Sequence, residues 1–131
     1  MKKTVDVIFT GLIRNAELIK KSMKDFIQLS KKAIVSQIIF STWVCEVKNN
    51  PEIVSFLKDN SAIILANKEP KFRGFGNINC QMKALEEGLK KVRSPFILKT
   101  RADIYIDPSF LEHLFKNKEK LLKIKLNLPN G

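Results

Sequence analysis

Residues 4–12, with the sequence TVDVIFTGL, form a nearly continuous run of β-prone side chains in which Asp6 is the only charge. A strand that faces water on one side alternates apolar and polar residues, whereas this run is apolar at almost every position. Strands that are buried on both faces occur in parallel sheets covered by helices. The run therefore predicts a first strand inside an α/β domain.

The rest of the chain alternates helical patterns with further short β-prone runs. Strands are predicted at 37–40, 62–65 and within 96–106, and helices are predicted to begin near Asn15, near Asn50-Pro51, near Asn77 or Asn79, and at Asp107-Pro108. The order β-α-β-α-β-α-β-α implies a parallel sheet with right-handed crossovers. We expect one domain, residues 1–131, with a Rossmann-like three-layer α-β-α fold and a mainly parallel sheet.

Two apolar patterns in the second half of the chain predict the core face of the third helix and the structure of the C-terminal segment. The third helix carries large apolar residues at helical spacing, which we expect to form its core face: Ile78, Met82, Leu85, Leu89 and Val92. Residues 122–128 alternate leucine or isoleucine with lysine or asparagine. That period of two predicts a half-exposed edge strand, although the frayed end of the fourth helix is an equal alternative.

The chain is strongly basic, with 24 Lys and Arg against 13 Asp and Glu and a net charge of +11. Such a charge favours anionic partners, namely phosphates, nucleic acid or an acidic membrane surface. No compact run of like charges and no RNA-binding aromatic signature is present. We therefore expect no specific nucleic-acid partner.

The N-terminal stretch MKKTVDVIFTGLI imitates a signal peptide, because a lysine pair precedes apolar residues. Asp6 interrupts the apolar run, and no small-residue cleavage site follows. No apolar run approaches the ~20 residues that a membrane-spanning helix needs. We expect a cytoplasmic protein or one that faces the cytoplasm.

The cysteines and the single histidine give little support for metal or nucleophile chemistry. Cys45 and Cys80 lack CxxC spacing, and we expect two reduced, partly buried thiols. His113 alone cannot supply a His-rich zinc site, and no local pattern supports a Cys-His nucleophile pair. We interpret His113 as a solvated residue of the last helix.

Ligands of open α/β sheets bind beyond the carboxyl ends of the strands. Four segments occupy that edge, namely 10–15, 41–46, 71–81 and 99–107. Their cations are Arg14, Lys71, Arg73, Lys99 and Arg101, and Asp103 is their notable acid. Because helix N-termini that follow these loops add donor N–H groups, a phosphate-bearing ligand is the simplest partner.

Each of these segments also has a structural interpretation. TGLIRN lacks the P-loop pattern, and FRGFGN lacks GxGxxG spacing, so the first can be an ordinary turn capped by Asn15 and the second a flexible loop. Trp43 is expected to pack rather than to stack on a base. Asn77 and Gln81 lie one helical turn apart and can either brace the loop or contact a ligand.

The fourth strand ends in charges. Period-two alternation places Lys99, Arg101 and Asp103 on one face, where burial without partners would be costly. Asp103 could hold Mg²⁺ or Mn²⁺ against a diphosphate, and Arg101 could fork onto a phosphate or brace Asp103. An Arg–Asp pair without any ligand is the open alternative. Asp107 precedes Pro108 and is interpreted as a helix cap.

Four motifs, VDVIFTGLIRN, IIFSTW, NINCQMKALEEGL and FILKTRADIYI, resemble the WavE lipopolysaccharide-synthesis family in order and spacing over about residues 4–115. That family looks like GT-A-type nucleotide-sugar glycosyltransferases, so the resemblance implies their N-terminal nucleotide-binding half. It implies that Thr10, Gly11 and Arg14 approach the nucleotide. Asn77 and Gln81 would face the donor ribose or sugar. The full predicted set is Thr10, Gly11, Arg14, Arg73, Asn77, Gln81, Lys99, Arg101 and Asp103.

Two departures from the GT-A pattern matter. GT-A enzymes carry an Asp-x-Asp motif that holds a divalent cation, and the matching residues here are Arg101, Ala102 and Asp103. Mg²⁺ or Mn²⁺ at Asp103 is thus one expectation, and neutralisation of the phosphate by Arg101 without an ion is the other. We also expect the acceptor half to be missing, and we identify no catalytic base, so the sequence is interpreted as a fragment or a stand-alone donor-binding half.

The resemblance implies a glycosyltransferase, or its donor-binding domain, in lipopolysaccharide or surface polysaccharide biosynthesis. Its partners would be a nucleotide-sugar donor, a saccharide or lipid-linked acceptor and, peripherally, the inner membrane surface. Two alternatives remain open. One is a non-enzymatic basic α/β module that binds nucleic acid or an anionic membrane, and the other is a truncated, inactive remnant.

Overall fold

A computed structural model describes residues 4–116 of the chain. The strands are β1 (Val5–Thr10), β2 (Val35–Trp43), β3 (Ile63–Asn67) and β4 (Phe96–Arg101). The helices are α1 (Ala16–Lys31), α2 (Val44–Asn49), α3 (Pro51–Asp59), α4 (Ile78–Leu89) and α5 (Ser109–Lys116), with a 3-10 turn at Phe75–Asn77. The four strands form an all-parallel sheet in the order β3-β2-β1-β4.

The Rossmann-like α/β fold expected from the sequence is confirmed. The segment 41–46, which the sequence placed at the carboxyl edge of the sheet, contains the last residues of β2 and the start of the short helix α2, which was not predicted. The strand or frayed helix predicted at 122–128 lies outside the described residues. Within residues 4–116, every helix is too short or too polar to cross a membrane.

One face of the sheet packs against α1, α3 and α5 around an aromatic centre. The Phe9 ring on β1 meets Phe26 of α1 edge to face, with centroids 5.5 Å apart, and stacks on Phe40 of β2 at 5.7 Å. Ile53 of α3 and Leu111 of α5 belong to the same buried cluster. This face holds most of the apolar core, because β1 and β2 direct alternate large side chains into it.

The other face of the sheet packs against α4 through its smallest residues. Ala84 is 1% exposed, and a Cβ added at Gly88 would lie 2.8 Å from Cγ2 of Ile8. The helix approaches the sheet closely at these two positions, so larger side chains cannot occupy the line of contact.

The predicted core face of α4 is therefore only partly correct. Its large residues lie beside the contact line, and three of them stay substantially exposed, namely Ile78 at 50%, Met82 at 63% and Leu89 at 43%. Helical spacing identified one stripe of apolar residues, but the close approach at Gly88 selects the neighbouring stripe of small ones.

The Asp6 side chain on β1 binds the connection between α4 and β4 through hydrogen bonds. This side chain is fully buried and accepts hydrogen bonds from Gln37 Nε2 at 2.7 Å, Arg93 N at 2.7 Å and Ser94 N at 3.2 Å. Ser94 Oγ donates a fourth bond at 2.5 Å. Burial raises the pKa of this carboxyl group, but the four hydrogen bonds outweigh burial and leave its pKa below the usual value.

Candidate functional site

A small cavity lies at the carboxyl-terminal edge of the sheet. The last residue of β1, Thr10, pairs in register with Arg101, the last residue of β4, and with Ser41 of β2, which continues to Trp43. The cavity has a volume of about 170 Å³ and lies between these strand ends and the first turns of α4. This is the position at which open parallel sheets bind ligands.

Six of the nine residues predicted for the site line this cavity, namely Thr10, Gly11, Asn77, Gln81, Lys99 and Arg101. The other three lie apart from its lining. Arg14 is exposed beyond β1, and Arg73 forms an ion pair with Glu69 at 2.7 Å. Asp103 follows β4 in a turn, where it pairs with Arg101.

Three further residues that were not predicted for the site complete the lining: Trp43, Cys80 and Ala84. Trp43 is 5% exposed, so it packs as expected and offers little surface for stacking on a base. Cys80 and Ala84 lie on α4 one turn apart. Helical spacing from Asn77 and Gln81 was the signal that could have identified this face.

The floor of the cavity is held by hydrogen bonds between neighbouring elements. Thr42 Oγ1 donates to the carbonyl oxygen of Gly11 at 2.8 Å and thereby fixes the turn after β1. Gly11 has φ of 117°, a conformation that side-chain-bearing residues rarely adopt. Ser41 Oγ donates to the carbonyl oxygen of Ala84 at 2.8 Å and so connects β2 to α4. These contacts make the floor a defined surface.

The loop between β3 and α4 borders the cavity and is braced by amide side chains. Gln81 Nε2 donates to the carbonyl oxygen of Gly76 at 3.1 Å, so the bracing role considered for Gln81 is present. Asn79 Nδ2 donates to the carbonyl oxygen of Phe72 at 2.9 Å. Asn77 adopts the left-handed conformation, with φ of 59°, and makes no side-chain cap bond at the start of α4.

The cations of the site come from β4. Lys99 and Arg101 both line the cavity, while Thr100 and Ala102 are buried on the opposite face, as the period of two predicted. Arg101 Nε and Nη2 donate to the two carboxylate oxygens of Asp103 at 2.9 and 2.6 Å. The Asp103 carboxylate thus occupies a fork that fits a phosphate equally well. The side chains are 62% and 39% exposed, so this pair adds little to stability.

The contacts of Asp103 bear on the prediction that this residue holds Mg²⁺ or Mn²⁺. Both of its carboxylate oxygens are engaged by a guanidinium, and among residues 4–116 no group of three or more His, Cys, Asp or Glu side chains lies close enough to hold a metal ion. One engaged carboxylate does not by itself fit a divalent cation, which takes six or more oxygen ligands. An Mg²⁺ or Mn²⁺ ion at Asp103 stays a prediction.

The remaining side chains of interest have structural positions. Asp107 Oδ1 accepts a hydrogen bond from Ser109 N at 3.0 Å at the start of α5, in agreement with its interpretation as a cap. Asn15 Oδ1 caps α1 by accepting from Leu18 N at 3.1 Å. The Cys80 thiol is free and half-buried, whereas the Cys45 thiol is free and exposed, so the expectation of partial burial was wrong for Cys45.

Comparisons of the chain with protein families, curated proteins and solved structures found no match.

Proposed function

We propose that this cavity binds the phosphate groups of a nucleoside-diphosphate sugar, and that the chain is a glycosyltransferase or its donor-binding domain in lipopolysaccharide or surface polysaccharide biosynthesis. One observation carries the proposal. Lys99 and Arg101 converge on a cavity at the carboxyl-terminal edge of a parallel sheet, beside the turn at Gly11. Two cations at this position of the fold suit a phosphorylated ligand.

The size of the cavity limits which part of the donor it can hold. Its volume of about 170 Å³ is below the roughly 300–1,000 Å³ of typical small-molecule sites. A phosphate group fits this space, whereas a nucleoside and a sugar need more. We therefore assign the cavity to the diphosphate and place the rest of the donor over the edge formed by Asn77 and Gln81.

The proposed chemistry is attack of an acceptor hydroxyl on the anomeric carbon, with the nucleoside diphosphate as leaving group. Negative charge develops on that leaving group in the transition state. Lys99 and Arg101 would stabilise it, because fixed cations at a site of developing charge lower the barrier. The acceptor would be a saccharide or a lipid-linked saccharide. We assign no catalytic base to the described residues.

Titration calorimetry with UDP-, GDP- and ADP-sugars, which all carry a diphosphate, tests the proposal. We expect one of them to bind and the Lys99→Gln and Arg101→Gln variants to weaken binding by about tenfold or more, because each removes a charge-assisted hydrogen bond. Lys58→Gln is the matched control, since Lys58 is an exposed lysine of α3 away from the cavity. A folded protein that binds none of the three donors contradicts the proposal.

Asp103→Asn separates the two ways of neutralising the diphosphate. Removal of the carboxylate charge frees the fork of Arg101, so binding without metal should be unchanged or tighter. If Mg²⁺ or Mn²⁺ held by Asp103 carries the interaction, the same variant should instead lose the metal-dependent part of the affinity. Titrations with and without Mn²⁺ distinguish these outcomes.

The net charge of +11 favours one alternative function, a non-enzymatic module that binds polyanions. Such a module would bind many polyanions with a steep dependence on salt concentration. Its binding would not discriminate among nucleotide sugars, and Lys58→Gln would weaken it as much as Lys99→Gln.

A further inference from the structure

The loop between β3 and α4 displays two phenylalanine rings to solvent. Phe72 is 81% exposed and Phe75 is 99% exposed, which makes them the most exposed large apolar side chains among the described residues. Phenylalanine is among the residues most often buried, so two neighbouring rings in water indicate a surface that meets a partner.

The rings are presented by a defined turn. Asn79 contributes both its backbone N–H, which donates to the carbonyl oxygen of Arg73 at 2.9 Å, and its side-chain amide, which donates to that of Phe72. Arg73 forms an ion pair with Glu69, and Gly74 has φ of 77°. A Cβ at Gly74 would lie 2.8 Å from the Ile78 side chain. These contacts hold the backbone in one shape while both rings point outward.

Positive charge surrounds the rings. Residues 68–77, called here the Phe72–Phe75 loop, carry three cations, Lys68, Lys71 and Arg73, and a single acid, Glu69. Lys99 and Arg101 lie at the same edge of the sheet. The surface therefore combines apolar rings with an excess of cations, which complements an anionic layer that has an apolar interior.

We propose that the Phe72–Phe75 loop docks the protein on an anionic lipid bilayer. The two rings enter the boundary between headgroups and acyl chains, and Lys68 and Lys71 remain at the level of the anionic headgroups. Asn77 belongs to this loop and also lines the cavity, so docking would hold the ligand site next to the membrane surface.

The exposure of the rings favours a bilayer over nucleic acid. Single strands bind in grooves that follow the phosphate backbone and stack their bases on aromatic side chains. Phe75, at 99% exposure, has almost no neighbouring atoms that could form the wall of such a groove. Neither Phe72 nor Phe75 lines the cavity, so the rings do not form part of a base-binding slot there.

Vesicle co-sedimentation of the full chain tests the proposal. We expect binding to phosphatidylcholine vesicles that contain phosphatidylglycerol and little binding to phosphatidylcholine alone. The Phe72→Ser/Phe75→Ser double variant should weaken binding by about tenfold or more, because both rings lose their apolar contact. Met82→Ser is the matched control, since Met82 is an apolar residue of α4 that is 63% exposed outside the loop.

Charge is tested in the same assay. Lys71→Gln should weaken binding to anionic vesicles by about fivefold, the effect of one cation near the surface. Lys58→Gln, on α3, should leave binding unchanged. Insertion itself is followed with Phe75→Trp, whose emission should shift to the blue on vesicles. The only native tryptophan, Trp43, is 5% exposed and gives a constant background.

Two results would overturn the proposal. The wild-type chain could fail to bind anionic vesicles, or the double Phe variant could bind as tightly as Met82→Ser. In the first case, binding of a single-stranded RNA by the wild type and its loss in the double variant would assign the loop to nucleic acid. Because both rings are exposed, circular dichroism should show all variants folded. Vesicle binding without binding of any nucleotide sugar would retain the docking surface and reject the proposed function.

Discussion

Replacement of Asp6 by alanine would remove the acceptor of four hydrogen bonds inside the sheet. Three donors meet Oδ2, namely Gln37 Nε2 and the backbone N–H groups of Arg93 and Ser94, and Ser94 Oγ meets Oδ1. Gln37 Nε2 also donates to a carbonyl oxygen, and Ser94 Oγ has a second partner, so the two backbone N–H groups suffer most. At about 1–3 kcal/mol for each of these two unsatisfied groups, we expect Asp6→Ala to destabilise the fold by about 2–6 kcal/mol.

Asp6→Asn is the control that separates hydrogen bonding from charge. Its carbonyl oxygen can take the place of Oδ2, and its amide can donate to Ser94 Oγ, which is able to accept. Only the charge-assisted part of the interaction is then lost, so we expect Asp6→Asn to destabilise the fold by about 1–2 kcal/mol. Urea denaturation of both variants, with the midpoint and the slope compared to wild type, measures the two values.

A destabilisation by Asp6→Ala of less than about 1 kcal/mol would refute this account, since that value is below the effect of one unsatisfied buried donor. The unfolding free energy measured at low pH gives a second check. Because the pKa of Asp6 is lowered in the fold, its stabilising effect is fully present above the unfolded value of 3.8 and is lost as pH falls through the folded value. The difference in unfolding free energy between wild type and Asp6→Asn should therefore shrink in acid.

Two further predictions concern α4 and the single tyrosine. Gly88→Ala places a Cβ 2.8 Å from the buried Ile8 side chain, and the cost of this clash exceeds the gain in helix propensity. We therefore expect urea denaturation to show a net destabilisation of about 1 kcal/mol. An increase in stability would contradict the close approach of α4 to Ile8. Tyr105 donates a hydrogen bond to Asp25, which raises the pKa of its phenol to about 12. Tyrosinate absorbance should therefore titrate near that value in wild type and nearer 10.0 in Asp25→Asn. The stabilisation of the fold by the hydrogen bond from Tyr105 to Asp25 should be present below pH 10.0 and lost as pH rises through about 12.

Local patterns in the sequence were sufficient for the alternation of the four strands with the longer helices, although not for α2, and for six of the residues that line the candidate cavity. The apolar run at residues 4–12 indicated a strand buried on both faces, and the helix start at Asn15 followed from a side chain that caps its own helix. The alternation along β4 placed Lys99 and Arg101 on one face. These features depend on neighbouring residues, so they can be recognised without knowledge of the rest of the fold.

Other features depended on contacts between distant parts of the chain. Asp6 meets Ser94 across 88 positions, and only the paired strands bring the two residues together. The contact line of α4 at Gly88 is selected by the closeness of Ile8, which helical spacing cannot reveal. The bidentate contact between Arg101 and Asp103 depends on the turn that follows β4. Periodicity along the chain therefore determined which faces exist, whereas the packing of one element on another decided which face is covered and which charges meet.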